Sequence, residues 1–337
     1  MEFSGSHILS ISPFERVDVE RVFAVADRMR PYAHRQRVTR VLDGAILGSM
    51  FFEPSTRTRI SFGSAFNLLG GEVRETTGFE SSAIAKGESL YDTARVLSGY
   101  SDVIVMRHPE DGSVAEFADA SRVPVINGGD GANEHPSQAL LDLYTIRSEL
   151  AAKDRGLDGL RIAMVGDLRH GRTVHSLSRL LNLFGNVEIS LVSPVELKMP
   201  TYIVDEMKAC GHRVTETEVL ETGIAGVDIV YSTRIQEERF SSRAEADLYR
   251  GRFRLNHSIY TANCEPNTVI MHPLPRDSRE GARELDIDLN DNPNLAIFRQ
   301  SDNGVLIRMA LFALILDVVD QVDTHARDVN WYTERRF

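Results

Sequence analysis

Hydroxyl and guanidinium side chains stand together in the run Ser55-Thr56-Arg57-Thr58, where an apolar segment passes into a helical pattern. The start of a helix carries unpaired backbone N–H groups and partial positive charge, so it favours a phosphate or a carboxylate. The guanidinium of Arg57 adds a fork of donors that matches phosphate oxygens. In the alternative interpretation, Ser55 only caps the helix and the arginine is surface charge. The combination of residues favours phosphate binding.

A second cation, Arg107, follows the apolar run Asp102–Met106 and therefore ends a predicted strand. An arginine at the end of a buried parallel strand is costly unless an anion meets it. We expect that anion to be a ligand. A structural salt bridge is the rival explanation, and the sequence leaves it open.

The segment His135-Pro136-Ser137-Gln138 predicts the start of a long middle helix. Pro136 suits the first helical position, where its missing N–H would have no partner. His135 and Gln138 can then face one ligand from the helix start, or Gln138 can fold back as a cap. The glycine-rich stretch 127–133 permits close approach of the backbone to a ligand, which favours the first interpretation.

In the second half of the chain, two arginines each follow a predicted strand. Arg172 lies in the loop after Arg161–Gly166, and Arg234 lies just after Val227–Ser232. Each arginine alone is as readily structural as functional, but the pair predicts a site for carboxylates. The first of these loops lacks the G-x-G-x-x-G spacing, and no Gly-Lys follows it, so it is weak evidence for a nucleotide.

Two remaining segments give weaker signals. The loop Thr77–Glu88 is small, polar and aperiodic, and it carries Ser82 and Lys86. Taken alone, this lysine is best explained as solvated surface charge. After another predicted strand, Leu274 and Pro275 lie in a stretch made rigid by two prolines, and they would offer backbone carbonyls to a ligand NH₂ group.

Short apolar runs rich in β-branched residues alternate with helical patterns along most of the chain. This alternation predicts parallel sheets covered on both faces, and such sheets bind ligands at the carboxyl ends of their strands. The predicted strands are Ala45–Phe52, Asp102–Arg107, Val123–Asn127, Arg161–Gly166, Glu188–Val192, Val227–Ser232 and Thr268–Met271. The predicted helices are Asp18–Tyr32, Thr56–Leu69, Ser89–Gly99, Pro136–Ala152, Arg172–Leu183, Tyr202–Ala209 and Gly304–Val322.

The 337 residues suit two domains, with a boundary in the turn-rich segment that follows residue 150. A net charge of −11 argues against a nucleic-acid partner, and it makes arginines in loops informative, because phosphate binding then needs a local concentration of cations. No apolar run has membrane-spanning length and no secretory signal is visible, which predicts a cytoplasmic protein without a membrane partner. Two distant cysteines and histidines without ligand spacing predict that no metal binds.

The chain resembles the catalytic chains of the aspartate transcarbamoylases from Phe51 through Arg308. The resemblance rests on six motifs in combination: S-T-R-T-R, M-R-H-P, H-P-S-Q, G-D-L-x-x-G-R-T-V-H-S, T-R-x-Q and H-P-L-P-R. It implies the transcarbamoylase fold, which is α/β with two domains, each a mostly parallel sheet flanked by helices. Residues 1–150, completed by a C-terminal helix in 304–337, would bind carbamoyl phosphate, and residues 151–303 would bind aspartate. The resemblance also implies a homotrimer with shared active sites.

The implied reaction transfers the carbamoyl group of carbamoyl phosphate to the amine of L-aspartate, giving N-carbamoyl-L-aspartate and phosphate in de novo pyrimidine biosynthesis without a cofactor. By the family pattern, each part of the two substrates has its own set of protein groups. These are Ser55, Thr56, Arg57 and Thr58 for the phosphate, Thr58, Arg107 and His135 for the carbonyl oxygen, Gln138 with the carbonyls of Leu274 and Pro275 for the NH₂ group, and Arg172, Arg234 and Gln236 for the aspartate carboxylates. The pattern also has Ser82 and Lys86 reach in from a neighbouring subunit.

Three alternatives stay open on the sequence alone. An ornithine transcarbamoylase shares the first domain, but that resemblance calls for Cys at the position of Pro273, and Arg172 and Arg234 suit a dicarboxylate better. An inactive relative that serves as an assembly partner is disfavoured by the unbroken set of arginines. A nicotinamide dehydrogenase is disfavoured by the absent glycine fingerprint. The sequence also leaves open regulatory or dihydroorotase-type partner chains and the role of the tail 323–337.

Overall fold

The computed structural model describes residues 1–78, 87–235, 240, 242, 248–249, 251–279 and 281–331. By its internal contacts the chain divides into two compact units. Unit 1 contains Met1–Ser137 together with the residues from Gly304 onward, and unit 2 contains Gln138–Asn303. The division falls in the first turn of a helix, and the predicted boundary at 150/151 lies near the end of that same helix.

Within the described residues, helices and strands follow one another along the chain. They are α1 Arg16–Ala33, β1 Arg37–Thr39, β2 Ile46–Phe51, α2 Thr56–Leu68, β3 Glu72–Thr77, α3 Leu90–Leu97, β4 Val103–His108, α4 Ser113–Ala120, β5 Val125–Asp130, α5 Pro136–Ala151, β6 Arg161–Val165, α6 Arg172–Leu181, β7 Glu188–Val192, α7 Thr201–Ala209, β8 Arg213–Thr217, α8 Leu220–Ile224, β9 Ile229–Ser232, α9 His257–Asn263, β10 Val269–Met271, α10 Ile297–Ile315 and β11 Ala326–Asp328.

The main sheet of unit 1 has the strand order β3-β2-β4-β5, and every pairing in it is parallel. The chain runs from β2 outward to β3 and then returns to the other side of β2 for β4 and β5. The neighbours β2 and β4 therefore flank the point where the direction of winding reverses. In open α/β sheets, ligands bind at the carboxyl ends of the strands at such a point.

Unit 1 is completed by the last long helix. Phe312 of α10 makes T-shaped contacts with Phe62 and Phe66 of α2, at centroid distances of 6.0 and 5.0 Å. Arg308 donates to the Ser61 hydroxyl at 2.7 Å, and its guanidinium lies 4.7 Å from the ring centroid of Phe62. A short antiparallel ribbon of β1 and β11 attaches the following segment to the same unit.

The sheet of unit 2 has the order β10-β9-β6-β7-β8, again entirely parallel. The chain winds from β6 through β7 to β8 and then returns to the opposite side of β6 for β9 and β10. The reversal in unit 2 therefore lies between β6 and β9. Aliphatic side chains from these strands, among them Ala163, Val165 and Val230, are buried in one apolar cluster with Leu255 and Ile270.

All seven predicted strands are confirmed within a few residues, and the predicted parallel α/β architecture is confirmed with them. The prediction of the last helix as Gly304–Val322 is wrong at both ends, since α10 begins at Ile297 and ends at Ile315. The helix begins two turns before the predicted start, and Ile297 and Gln300 in these turns are buried. It ends before the predicted end, where the backbone of Asp317 takes a positive φ of 53°. No helix among the described residues combines the length and apolar character needed to cross a bilayer.

Candidate active site

The predicted phosphate-binding run lies at the N-terminus of α2, directly after the carboxyl end of β2. Ser55 is the residue before the helix, and its side chain makes no capping hydrogen bond. The first turn contains no acidic residue, so the helix does not itself offset the positive end of its dipole there. Thr56 and Arg57 are exposed, and Thr58 is half-buried. Backbone N–H groups, hydroxyls and one guanidinium thus share a single helix start.

The two arginines of this run have different surroundings. Arg59 forms an ion pair with Glu75 of the neighbouring edge strand β3. Its charge is therefore balanced within unit 1. Arg57, in the first turn of the helix, has an exposed side chain at the carboxyl edge of the sheet. The structure thus separates the two guanidinium groups, which the sequence motif presents as equivalent.

Arg107 lies near the carboxyl end of β4, opposite Phe51 of β2 in the parallel register. Its side chain is only 12% exposed, and its Nε and Nη2 lie 2.8 and 2.7 Å from one carboxylate oxygen of Glu53. The salt bridge considered as a rival explanation is therefore present. A single carboxylate oxygen takes both of these donors, which fixes the plane of the guanidinium at the reversal point of the sheet.

His135 immediately precedes α5 and is 3% exposed. The loop that carries it is organised by Asp130, a buried carboxylate at the end of β5. Asp130 accepts hydrogen bonds from the backbone N–H groups of Gly112 and Glu134 at 3.0 and 3.2 Å and from the Asn127 side chain at 2.9 Å. These bonds fix the course of the backbone up to His135.

Gly131 in this loop lies against a protein carboxylate. Gly131 has a φ of +49°, and a Cβ at that position would lie 1.8 Å from Oδ1 of Asp111. The same oxygen accepts a hydrogen bond from the backbone N–H of Ala132 at 2.7 Å. The glycine that the sequence presented as a means of close ligand approach is therefore needed for approach to a protein carboxylate.

In unit 2, Arg172 is the first residue of α6, directly after the loop that follows β6, and Arg234 lies in the loop that follows the adjacent strand β9. Gly166 brings the two loops into direct contact, because a Cβ there would lie 2.2 Å from the backbone oxygen of Thr233. The hydroxyl and the N–H of Thr233 both donate to the carbonyl of Val165, at 3.0 and 2.8 Å. Both arginines are half-buried at the reversal point of this sheet.

Buried polar groups that the sequence analysis did not single out support the loop before Arg172. Asp167, fully buried, accepts the backbone N–H of His170 at 3.0 Å, and its carboxylate lies 3.1 Å from Nδ1 of the same histidine. The ring of His175 lies 2.8 Å through Nε2 from the carbonyl oxygen of Leu168, and burial lowers the pKa of this histidine. The ring is therefore neutral and donates from Nε2. Asp167 and His175 both lie within the G-D-L-x-x-G-R-T-V-H motif, and their spacing in it is the sequence signal that could have identified them.

Leu274 and Pro275 follow β10 and are joined by a cis peptide bond. His272, buried at the end of that strand, accepts the backbone N–H of Leu274 on Nδ1 at 2.8 Å. Its Nε2 then carries the proton and lies 2.8 Å from a carboxylate oxygen of Glu284. The side chain of His272 therefore fixes the start of the segment whose carbonyls were predicted to meet an NH₂ group.

Gln138 donates from Nε2 to Oδ1 of Asp142 at 2.9 Å, one turn further along α5. The capping alternative for Gln138 is thus replaced by a bond to a fully buried carboxylate. Tyr231 of β9 donates its hydroxyl to Oδ2 of Asp142 at 2.6 Å. Burial and the Asp142 carboxylate raise the pKa of Tyr231 well above its ordinary value, so this hydroxyl remains a donor. No motif or spacing in the sequence pointed to Asp142.

Three predicted site residues, Ser82, Lys86 and Gln236, lie outside the described residues. The remaining predicted residues of unit 1 gather at the carboxyl ends of β2, β4 and β5, and those of unit 2 follow β6, β9 and β10 or lie at the start of α5. Across the ranges that the structure describes, no cluster of three or more His, Cys, Asp and Glu side chains could hold a metal ion.

Two family models match the chain in succession. The model described as the carbamoyl-P binding domain of aspartate/ornithine carbamoyltransferase matches residues 6–148, and the model of the Asp/Orn binding domain matches residues 158–315. The aspartate carbamoyltransferase catalytic subunit of Saccharophagus degradans is 77% identical over 337 residues, with both chains covered completely. The chain belongs to the aspartate carbamoyltransferase family. This membership bears out the resemblance seen in the motifs.

Other members of the aspartate carbamoyltransferase family are similar over nearly the whole chain. The catalytic subunit of Cellvibrio japonicus is 74% identical and covers 100% of this chain and 99% of its own length. A crystal structure of aspartate transcarbamoylase from Trypanosoma cruzi in complex with carbamoyl aspartate and phosphate has a TM-score of 0.83 at 36% identity, covering 93% of this chain and 96% of that one. The catalytic subunit from M. jannaschii has the same TM-score at 43% identity, with coverages of 93% and 98%.

Proposed function

We propose that this chain transfers the carbamoyl group of carbamoyl phosphate to the amine of L-aspartate, releasing N-carbamoyl-L-aspartate and phosphate. One observation carries the proposal: each unit places its predicted anion-binding residues at the reversal point of its parallel sheet. The relatives support the choice of substrates, because their names specify aspartate and one was solved with carbamoyl aspartate and phosphate. They favour aspartate over ornithine, and an enzyme over an inactive relative or a dehydrogenase.

In this proposal the start of α2 binds the phosphate group. Ser55, Thr56 and Thr58 supply hydroxyls and backbone N–H groups, and Arg57 supplies a charged fork. A phosphate dianion at this position balances the positive end of the helix dipole, which no acidic residue of the first turn offsets. The phosphate is also the leaving group, so the same donors stabilise the charge that it gains as the bond to the carbamoyl carbon breaks.

Thr58, Arg107 and His135 surround the carbonyl oxygen of the carbamoyl group. When the aspartate amine attacks the carbamoyl carbon, negative charge accumulates on this oxygen, and prearranged donors stabilise that charge. The Glu53 contact fixes the plane of the Arg107 guanidinium, and the Asp130 loop fixes the backbone at His135. Such fixed donors need no reorganisation during the reaction. No protein side chain acts as a nucleophile.

Gln138 and the backbone carbonyls of Leu274 and Pro275 accept hydrogen bonds from the carbamoyl NH₂ group. Arg172, Arg234 and Gln236 bind the two carboxylates of aspartate, and Ser82 and Lys86 contribute from a neighbouring subunit. The dicarboxylate needs two separate cations, and the contact of Gly166 with Thr233 keeps the two arginine loops adjacent. Bringing the amine to the carbamoyl carbon in a fixed geometry supplies much of the acceleration.

The proposal extends to organisation and cellular role. Residues 1–150, completed by the helix within 304–337, form the carbamoyl-phosphate domain, and residues 151–303 form the aspartate domain. The catalytic assembly is a homotrimer, and the product enters de novo pyrimidine biosynthesis in the cytoplasm. Both cysteines, Cys210 and Cys264, are free thiols, which suits a reducing compartment.

The decisive experiment measures phosphate release from carbamoyl phosphate by the purified chain. We expect release that depends on L-aspartate, with N-carbamoyl-L-aspartate formed in equal amount, and no release above the background with ornithine. Ornithine-dependent release would replace the proposed amine substrate, and release with neither amino acid would contradict the proposal. The sedimentation profile of the same preparation tests the trimer.

A further inference from the structure

Asp142 lies at the centre of a buried hydrogen-bond network in unit 2. Its Oδ1 accepts from Nε2 of Gln138 at 2.9 Å and from Nε2 of Gln300 at 2.7 Å, and its Oδ2 accepts from the Tyr231 hydroxyl at 2.6 Å. Asp142, Gln300 and Tyr231 are each at most 1% exposed. Buried networks of this kind hold their members in one arrangement, because an unsatisfied polar group is costly there.

The orientation of every amide in this network follows from one backbone N–H. The N–H of His272 can only donate, and it donates to Oε1 of Gln300 at 2.9 Å. The NH₂ group of Gln300 therefore faces Asp142, and Oδ1 of Asp142 is an acceptor. Because Gln138 contacts the same oxygen, it too must present its NH₂ group to Asp142. The carbonyl oxygen of the Gln138 amide consequently faces away from Asp142.

We propose that Asp142 is a positioning residue that holds the Gln138 amide with its oxygen toward the ligand, so that the site selects a carbamoyl NH₂ group over a methyl group. This inference rests on the proposed function, in which Gln138 meets the carbamoyl NH₂. The same network extends through Gln300 to His272, whose Nδ1 holds the N–H of Leu274. One carboxylate thus sets both kinds of acceptor that the NH₂ group would meet.

Selection between the two ligand groups depends on how many fixed hydrogen-bond acceptors the site presents to them. An amide that is free to turn can present either its oxygen or its nitrogen, so it discriminates poorly between a ligand that donates and one that does not. An amide fixed as an acceptor is left without a partner when the ligand carries a methyl group. Sites built to hydrogen-bond a substrate group reject analogues that lack it far more strongly than apolar sites reject a size difference.

The test compares two stable ligands that differ only at this position: phosphonoacetamide, which carries NH₂, and 2-oxopropylphosphonate, which carries CH₃. Calorimetry gives both dissociation constants for the wild type and for Asp142→Ala. We expect the ratio of the two constants to fall by about 10-fold in Asp142→Ala, because one acceptor is no longer fixed. A merely structural role would weaken both ligands alike and leave the ratio unchanged, which would overturn the inference.

Two matched variants sharpen the result. Asp142→Asn keeps an oxygen at the position of Oδ1, and the Tyr231 hydroxyl can turn to accept from the new NH₂ group, so the ratio should stay near the wild-type value. Tyr231→Phe removes a buried bond of the same network without touching Gln138, so it should also keep the ratio. A fall in either variant as large as that in Asp142→Ala would contradict the inference.

If Asp142→Ala does not fold, Asp142→Leu combined with Tyr231→Phe fills the volume and leaves no buried hydroxyl without a partner. The same fall in ratio is expected in that variant, and an unchanged ratio would overturn the inference.

Measurements on the wild type distinguish a failure of this inference from a failure of the proposed function. If the wild type does not bind phosphonoacetamide or shows no aspartate-dependent phosphate release, the proposed function fails, whereas a normal wild type with an unchanged ratio in the variants defeats only the role of Asp142.

Discussion

The two units use the same position in a parallel sheet, the point where the winding reverses, but they present cations there in different ways. In unit 1, the proposed donors form one contiguous run at the start of α2, where backbone N–H groups are available as well. In unit 2, the two cations come from separate segments: Arg172 begins α6 after β6, and Arg234 lies in the loop after β9, and Gly166 brings the loops that follow these two strands into contact. A phosphate is compact and suits one helix start, whereas a dicarboxylate needs two separated charges.

This difference explains why the candidate residues of unit 1 were easier to identify from the sequence than those of unit 2. The proposed phosphate-binding run is local, so its chemistry is visible in a few consecutive residues. The arginines of unit 2 became informative only as a pair, each beyond a predicted strand. The Asp142 network was out of reach, because its partners Tyr231 and Gln300 lie 89 and 158 residues away and only the fold brings them to Asp142.

The largest expected effect concerns unit 1. Arg57→Ala should lower kcat/KM by about 10³ or more, because it removes a charge-assisted fork from the phosphate in both the bound and the reacting state. The measurement is aspartate-dependent phosphate release. Arg59→Ala is the matched control: this side chain is paired with Glu75, so the loss should stay below about 10-fold. Near-normal turnover in Arg57→Ala would remove the phosphate from this helix start.

In unit 2 the effect should be confined to one substrate. Arg234→Ala should raise the KM for aspartate by about 10- to 100-fold, the range for losing hydrogen bonds to a charged group, while phosphonoacetamide binding stays unchanged. Arg169→Ala tests a nearby exposed cation that donates to the Glu196 carbonyl, and it should leave both quantities unchanged. An unaltered aspartate response in Arg234→Ala would take this arginine out of the site.

The contact between the arginine loops can be broken without removing a charge. In Gly166→Ala the new Cβ would meet the backbone oxygen of Thr233, and the positive φ of 117° adds strain of about 1–3 kcal/mol. We expect the KM for aspartate to rise by about 10-fold as the loops move apart. Gly159→Ala carries the strain of a positive φ with no atom within 4 Å, so it separates the two causes. Equal kinetics in the two variants would show that the contact has no role.

The smallest effect should appear at the opposite, amino end of the unit 2 sheet. Burial raises the pKa of Asp228, but hydrogen bonds from Arg161 and Arg155 outweigh it, and the pKa lies below its ordinary value. The ion pairs thus stabilise the fold above the ordinary aspartate pKa of about 4, and this contribution is lost as the pH falls through the lowered value. Thermal unfolding from pH 7 downward should show a flatter acid branch in Asp228→Asn than in the wild type. Asp43→Asn removes an exposed ion pair with Arg40 and should change the free energy of unfolding at pH 7 by less than about 1 kcal/mol.

The fold was more predictable from the sequence than the site was. The errors in the predicted strands and helices have physical causes. Buried strands such as Arg161–Val165 are apolar after their first residue, and this apolar run made them predictable. The edge strands β3 and β8 were missed because they carry charged residues, and β8 is mostly exposed, so neither shows an apolar pattern. Helix α4 was missed because it is short and begins after Gly112, which supplies no capping side chain, whereas the equally short α3 begins after the capping residue Ser89. The roles of all the site residues stay predictions, and three of these residues, Ser82, Lys86 and Gln236, lie outside the described part of the chain.

The interrupted course of unit 1 has a consequence during synthesis on the ribosome. Its early helix α2 finds its aromatic partner Phe312 only after every residue of unit 2 has been translated. Until then the rings of Phe62 and Phe66 lack that cover, while unit 2, which is continuous in sequence, can already form its own core. The nascent protein therefore completes its second-encoded unit first, and the substitution Phe312→Ala should increase retention by chaperones more than a comparable change within unit 2.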